Sequence, residues 1–188
     1  MGAINRKFFY DYARQHLFGG QLRQSQVDGM NAFLDRWEAH HAQDDHRWLA
    51  YILGTTHHET DRTMQPIEEY GRGKGHDYGQ ADAVTGQRYY GRGFVQLTHK
   101  DNYAKMGQIL QLDLVDHPEL ALNLDVALRI IFFGMTNGSF TGKRLSDYFN
   151  PTTDDWLGAR RIVNGTDKAT LIKDYARSYY AAISQTIP

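Results

Sequence analysis

The stretch from Asp45 to Tyr70, DHRWLAYILGTTHHETDRTMQPIEEY, decides the reading of this chain. Leu49, Ile52, Leu53 and Thr56 recur at the spacing of a helix with one buried face, which predicts a helix from Asp45 to Arg62. At 100° per residue the stripe reaches Thr60, with Glu59 at its edge. Pro66 cannot extend a helix, so the chain is expected to turn there. Just beyond stand Glu68 and Glu69. The chain holds only five glutamates against 17 aspartates, and three of the five fall within this short stretch.

That clustering suits acid–base chemistry. A carboxyl at the C-terminal end of a helix and on the margin of its buried face is held towards its protonated form, and a protonated carboxyl can protonate a leaving group. A second carboxylate can then act on water. Along one continuous helix Glu59 and Glu69 would stand roughly 15 Å apart. Inverting glycoside hydrolysis wants about 6.5–9.5 Å, so the break at Pro66 is required by this chemistry. Glu68 and Glu69 both remain candidates for the second role. The bland alternative is a structural bridge from Glu59 to an arginine such as Arg62 or Arg92. Glu38 and Glu119 read as surface.

The flanks predict a mainly α protein. Apolar spacing gives helices within 3–17, ended by Gly19-Gly20, and around Val27, Met30, Phe33, Leu34 and Trp37. Another starts near Asp101 as a candidate N-cap. Val126 to Met135 is apolar nearly all round and reads as the buried central helix. A short helix from Asp154 to Val163, closed by Asn164-Gly165, precedes an amphipathic one from Asp167 to Ile183. Residues 66–93 differ: seven glycines and the tyrosines 70, 78, 89 and 90 make a long, ordered loop with a small hairpin around Thr85-Gly86. The alternative, a linker between two domains, leaves neither flank large enough, so residues 1–188 read as one catalytic domain of two lobes.

Composition excludes several classes. With no cysteine there is no disulfide scaffold, thiol nucleophile or thiolate metal site. A net charge of −1 gives no general footprint for nucleic acid or anionic membrane, although Arg160-Arg161 offers a local basic cluster. No run of about 18 apolar residues spans a membrane, and the first twenty residues lack the apolar core of a leader, so a cytoplasmic start is expected. His58-Glu59 opens a zinc-hydrolase motif, but Arg62 stands where its second histidine belongs. No metal or cofactor is expected, and His40-His41 reads as solvated surface. Residues 138–143 resemble a phosphate loop one residue short, and read as a turn.

The loop raises the enzyme reading. Tyr89-Tyr90-Gly91-Arg92-Gly93 leads into Gln96, Thr98 and Asn102, bringing aromatic faces, a cation and neutral hydrogen-bonding groups together. Sugars need flat rings for their C–H faces and amides or hydroxyls for their hydroxyls. Ordinary packing would account for about half of these tyrosines.

At these residues the sequence resembles glycoside hydrolase family 19, the chitinase-like enzymes, and in particular the short phage and prophage endolysins of that type. The matching segments are His58-Glu59-Thr60, Met64 to Tyr70, Tyr89 to Thr98 with Asn102-Tyr103, Phe140 to Tyr148, and Arg160 to Gly165. They run in the family's order over roughly residues 50–180. The resemblance implies a lysozyme-like fold of two lobes with a sugar-binding cleft. It implies that Glu59 is the general acid and that a second carboxylate activates water, with Thr98 and Asn102 assisting. Gln96 and Asn164 match sugar-binding positions, joined here by Tyr90 and Arg92. The phage-type pattern, an aliphatic residue, any residue, then glutamate after proline, selects Glu69. Plant-type members place the second glutamate further along and carry disulfides, which this chain lacks.

The expected function is therefore an inverting muramidase. It would cut the β-1,4 bond between N-acetylmuramic acid and N-acetylglucosamine in peptidoglycan and so lyse a bacterial host. A monomer is expected, and the resemblance further implies that it accumulates in the host cytoplasm and depends on a holin to reach the wall. The competing readings are a chitinase, a lytic transglycosylase and a catalytically silent wall-binding protein.

Overall fold

A computed structural model describes residues 3–187. In chain order its elements are β1 (Ala3–Ile4), α1 (Arg6–His16), α2 (Gln24–His40), α3 (His46–Glu59), β2 (Ile67–Glu68), β3 (Arg92–Gly93), α4 (Lys100–Leu110), α5 (Leu124–Asn137), α6 (Leu145–Tyr148), β4 (Phe149–Asn150), β5 (Thr153–Asp154), α7 (Ala169–Ala182) and β6 (Thr186–Ile187). The protein is mainly helical, as the apolar spacing predicts. Its strands form three two-stranded antiparallel ladders, β1–β6, β2–β3 and β4–β5. The chain divides into two compact units, one of residues up to Met64 together with Phe132 onwards, the other Gln65–Ile131.

The first unit is built on α3. Asp45 caps it, its carboxylate accepting from the Arg47 N–H at 2.9 Å. Every residue from Leu49 to His57 is buried, so α3, and not only α5, is a helix buried on all sides. Spacing arguments understate this because Tyr51, Thr55, Thr56 and His57 are polar by type. α3 packs along α7, and Gly54 is the point of closest approach: a Cβ there would lie 2.7 Å from the Ala176 backbone nitrogen. Tyr179 of α7 stacks on Phe9 of α1, and Phe33 of α2 meets Phe132.

Several expectations need correction in this unit. α3 ends at Glu59, not Arg62, and Pro66 is not what stops it. The Arg62 N–H turns back to the His57 carbonyl at 2.8 Å and that of Thr60 to Thr56 at 3.0 Å, while Asp61 and Arg62 adopt positive φ. Asp154 lies in β5 rather than opening a helix, and only a 3-10 turn, Gly158–Ile162, follows. Arg47 fixes this segment, donating to the Asn150 and Thr153 carbonyls at 2.9 and 3.1 Å, while Asp155 caps the Gly158 N–H at 2.7 Å. Glu38 is not simple surface: it accepts from the Ile4 N–H at 2.9 Å and from Arg6 at 2.6 Å beside the β1–β6 ladder. His41 pairs with Asp44 at 2.8 Å and stacks on Phe132. Residues 138–143 are a turn closed by the Gly142 N–H on the Gly138 carbonyl.

The second unit carries the long loop. The expected hairpin is displaced. Residues 82–87 form a tight turn held by the Asp82 carboxylate, which accepts from the Val84 and Thr85 N–H groups. The strand pairing is β2 against β3, with Glu68 opposite Arg92. Gly73 and Gly79 cross at van der Waals contact, where a Cβ on Gly79 would overlap the Gly73 carbonyl. Asp101 is not the cap of α4. His99 occupies that position with φ +69°, and Asp101 lies in the first turn.

Candidate active site

Glu59 is the last residue of α3. Its Oε1 meets Arg160 Nη1 at 2.6 Å across 101 residues of sequence. Arg160 is buried, 3% exposed, and its Nε donates to the Asp167 carbonyl at 3.0 Å. Glu59 keeps 19% exposure. The anticipated arginine bridge thus exists, but to neither Arg62 nor Arg92. Burial also removes Arg160 from the basic surface cluster expected of Arg160-Arg161. Next to this pair His57 turns into the core. Its Nδ1 lies 3.0 Å from the Tyr179 hydroxyl, and its ring packs on Phe18 and Tyr175. Burial, helped by the charges of Arg62 and His58, pushes its pKa down to about 3. Asn164 is exposed, and its side-chain oxygen accepts from the Gly165 N–H at 2.8 Å.

In the second unit the two glutamates, Glu68 at the end of β2 and Glu69 just beyond it, have different partners. Glu68 Oε1 accepts from the Tyr90 hydroxyl at 2.7 Å, and Oε2 pairs with Arg72 at 2.9 Å. Arg72 is 68% exposed, so solvent has access to that side. Glu69 is bound on both oxygens, by the Tyr78 hydroxyl and the Gly91 N–H, each at 3.0 Å. Its own N–H donates to the Gly91 carbonyl at 2.7 Å. Glu69 is therefore a clasp closing the loop from 69 to 91.

Tyr90 and Arg92 are buried and lie on each other, the guanidinium carbon 3.7 Å from the ring centre. Arg92 Nη1 donates to the Arg88 carbonyl and the Tyr103 hydroxyl, both at 3.0 Å. Burial pushes the Tyr90 phenol pKa up, and its bond to Glu68 adds to this. Gln96, at φ +55°, donates to the Ile67 carbonyl at 3.2 Å, the residue before Glu68. The Thr98 hydroxyl donates to the Gln96 carbonyl and the Asn102 amide to the Thr98 carbonyl, both at 2.8 Å. So Glu68, Glu69, Tyr90, Arg92, Gln96, Thr98 and Asn102 form one connected set around β2–β3. Sequence reasoning missed Arg160, Arg72, Tyr78 and Tyr103 as partners. All four lie in or beside segments it quoted, but side-chain pairing leaves no periodic signal. Among the described residues no set of three His, Asp or Glu side chains is placed to hold a metal ion.

The fold is shared with solved chitinases. Chitinase C of Streptomyces griseus HUT6037 superposes with a TM-score of 0.61 at 18% identity, covering 98% of this chain and 78% of that one. A bacterial family 19 chitinase superposes with a TM-score of 0.58 at 20% identity, covering 97% of this chain and 95% of that one. These likenesses concern the fold. The family profile described as chitinase class I matches residues 27–155. The chain belongs to glycoside hydrolase family 19. Among curated relatives, chitinase 11 of Oryza sativa subsp. japonica is 39% identical over 139 residues, 65% of this chain and 53% of that protein. An acidic endochitinase of Petunia hybrida is 36% identical over 91 residues, 47% and 35% of the two chains. The chain thus spans about half, or less, of these relatives' length.

Proposed function

We propose that this chain hydrolyses β-1,4 glycosidic bonds in a polymer of N-acetylated amino sugars, and that the polymer is peptidoglycan, cut after N-acetylmuramic acid. Family membership carries the reaction class. The observation that supports the mechanism is the different set of partners held by each of the three clustered glutamates. Glu59 protonates the glycosidic oxygen, and the carbon–oxygen bond breaks with positive charge developing on the sugar ring. A carboxylate of the β2–β3 hairpin takes a proton from the attacking water, whose oxygen bonds the anomeric carbon with inversion. We assign that role to Glu68 rather than Glu69. Both oxygens of Glu69 are held by the loop it closes, whereas one side of Glu68 faces an exposed arginine that water or sugar can displace. Gln96, Thr98 and Asn102 line the same hairpin and supply neutral hydrogen-bonding groups, with Asn164 as an exposed amide.

On this reading the protein is an endolysin that gathers as a monomer in the cytoplasm of a bacterial host and reaches the wall through a holin. Among the described residues no helix is long and apolar enough to cross a membrane. A chitinase is the second reading, favoured by the curated relatives named as chitinases. Mass spectrometry of digests of purified sacculi and of chitin oligosaccharides separates them. Muropeptides with hydrated, reducing N-acetylmuramic ends are expected. Ends lighter by one water would mean a lytic transglycosylase. Cleavage of chitin alone would mean a chitinase, and binding without product over hours a silent wall-binding protein.

A further inference from the structure

Tyr90 and Arg92 stand where sugar contacts were expected, yet only 7% and 6% of each is exposed. Neither a ring already covered by a guanidinium nor a guanidinium already covered by a ring offers a face to a sugar. What Tyr90 does offer is its hydroxyl, which donates to Glu68 Oε1 at 2.7 Å. The ring cannot swing away, because Arg92 lies 3.7 Å from its centre and is itself anchored at one nitrogen to the Arg88 carbonyl and the Tyr103 hydroxyl. Tyr103 is fully buried in α4 and closes the circuit, its hydroxyl donating to the Tyr90 carbonyl at 2.8 Å. The backbone repeats the arrangement, since β2–β3 pairing sets Glu68 opposite Arg92.

We infer that Tyr90, Arg92 and Tyr103 are positioning residues for Glu68: a buried stack that fixes one carboxylate oxygen and leaves the other to work on water. The inference rests on the assignment of Glu68 in the proposed function. A carboxylate that takes a proton must present one lone pair along a fixed line, and misplacement by about 1 Å costs on the order of a hundredfold in rate. Rotation about the Glu68 side chain would allow that misplacement. The Tyr90 hydroxyl removes it from inside the fold, without using the side of Glu68 that Arg72 and solvent share. The arrangement also explains why Tyr90 is a tyrosine in a buried position that a phenylalanine would fill equally well.

The test is a double-mutant cycle on purified sacculi. Tyr90→Phe keeps the ring and its contact with Arg92 but deletes the hydroxyl. A loss of about tenfold in kcat is expected, the rate equivalent of one charge-assisted hydrogen bond, with KM within about twofold and an unchanged melting temperature. In a Glu68→Gln background the same substitution should cost less than about twofold, because its only route to the reaction has gone. Arg92→Lys, which keeps a cation over the ring, should retain more activity than Arg92→Met. Equal losses from Tyr90→Phe in both backgrounds, or no loss in either, would overturn the positioning role. Full activity of Glu68→Gln would instead overturn the assignment of Glu68, and an inert wild-type protein the proposed function.

Discussion

Glu59 and Glu68 stand nine positions apart in sequence but are held in opposite ways. Glu59 ends a helix buried on all sides, and its partner Arg160 arrives from 101 residues downstream. Its position depends on the assembly of α3, α7 and the segment before α7. Glu68 lies on a two-residue strand, and its partners Arg72, Tyr90 and Arg92 come from the same loop and its closing strand. Its position depends on hydrogen bonds and one ring stack, anchored at Tyr103 of α4. One carboxyl is set by tertiary packing and the other by a local circuit, so substitutions should separate the two by where stability and activity part company.

The largest effect should fall on the packed side. Glu59→Gln keeps an acceptor for Arg160 but removes the transferable proton. Activity should drop by about a thousandfold or more, towards the upper end of general acid catalysis, with the helical circular dichroism signal unchanged. Arg160→Met should lower both properties together. A loss of roughly 2 kcal/mol is expected by urea denaturation, since a hydrogen-bonded charge is removed from a buried position. If Arg160→Met left stability untouched, the packed side would prove as local as the other.

His57 sharpens the comparison through pH. Its pKa of about 3 in the fold lies below the ordinary histidine value, so the unfolded chain binds a proton that the folded chain refuses. Stability from this group is fully present above about pH 6.5 and falls with pH down to about 3, by about 1.4 kcal/mol per unit at most. His57→Gln should flatten that slope in urea titrations between pH 4 and 7, and an unchanged slope would remove His57 from the account. The smallest effect belongs to Thr98→Ala, whose hydroxyl braces the Gln96 carbonyl: a loss of severalfold in kcat with normal melting.

Much of the fold was legible because helices announce themselves through spacing. α1, α2, α3, α5 and α7 lie where the apolar pattern places them, and Asp45 caps α3. The ends were less legible. Pro66 is a conspicuous stop signal, yet α3 closes earlier through backbone bonds at Thr60 and Arg62 that any residue type can make. The turn at Thr85-Gly86 drew attention from composition, whereas β2–β3 pairs segments 24 positions apart through short strands with no alternation to read. The glutamate cluster was visible as a count. Which of Glu68 and Glu69 is clasped by the Tyr78 hydroxyl and the Gly91 N–H was not, because side-chain pairing leaves no mark on the local sequence. Tyr90 and Arg92 show the same limit: a tyrosine and an arginine in a glycine-rich loop suit a sugar or each other, and burial decides.

The central claim is that the clustered glutamates divide into a packed acid, a water-directing carboxylate and a structural clasp. Turnover of Glu68→Gln and Glu69→Gln on purified sacculi, measured side by side with their melting curves, tests it most directly. Glu68→Gln should lose about a hundredfold or more in kcat with its melting unchanged. Glu69→Gln should keep activity within about tenfold while its loop opens to proteolysis between residues 69 and 91. The reverse pattern, a silent Glu69→Gln beside an active Glu68→Gln, would contradict the account.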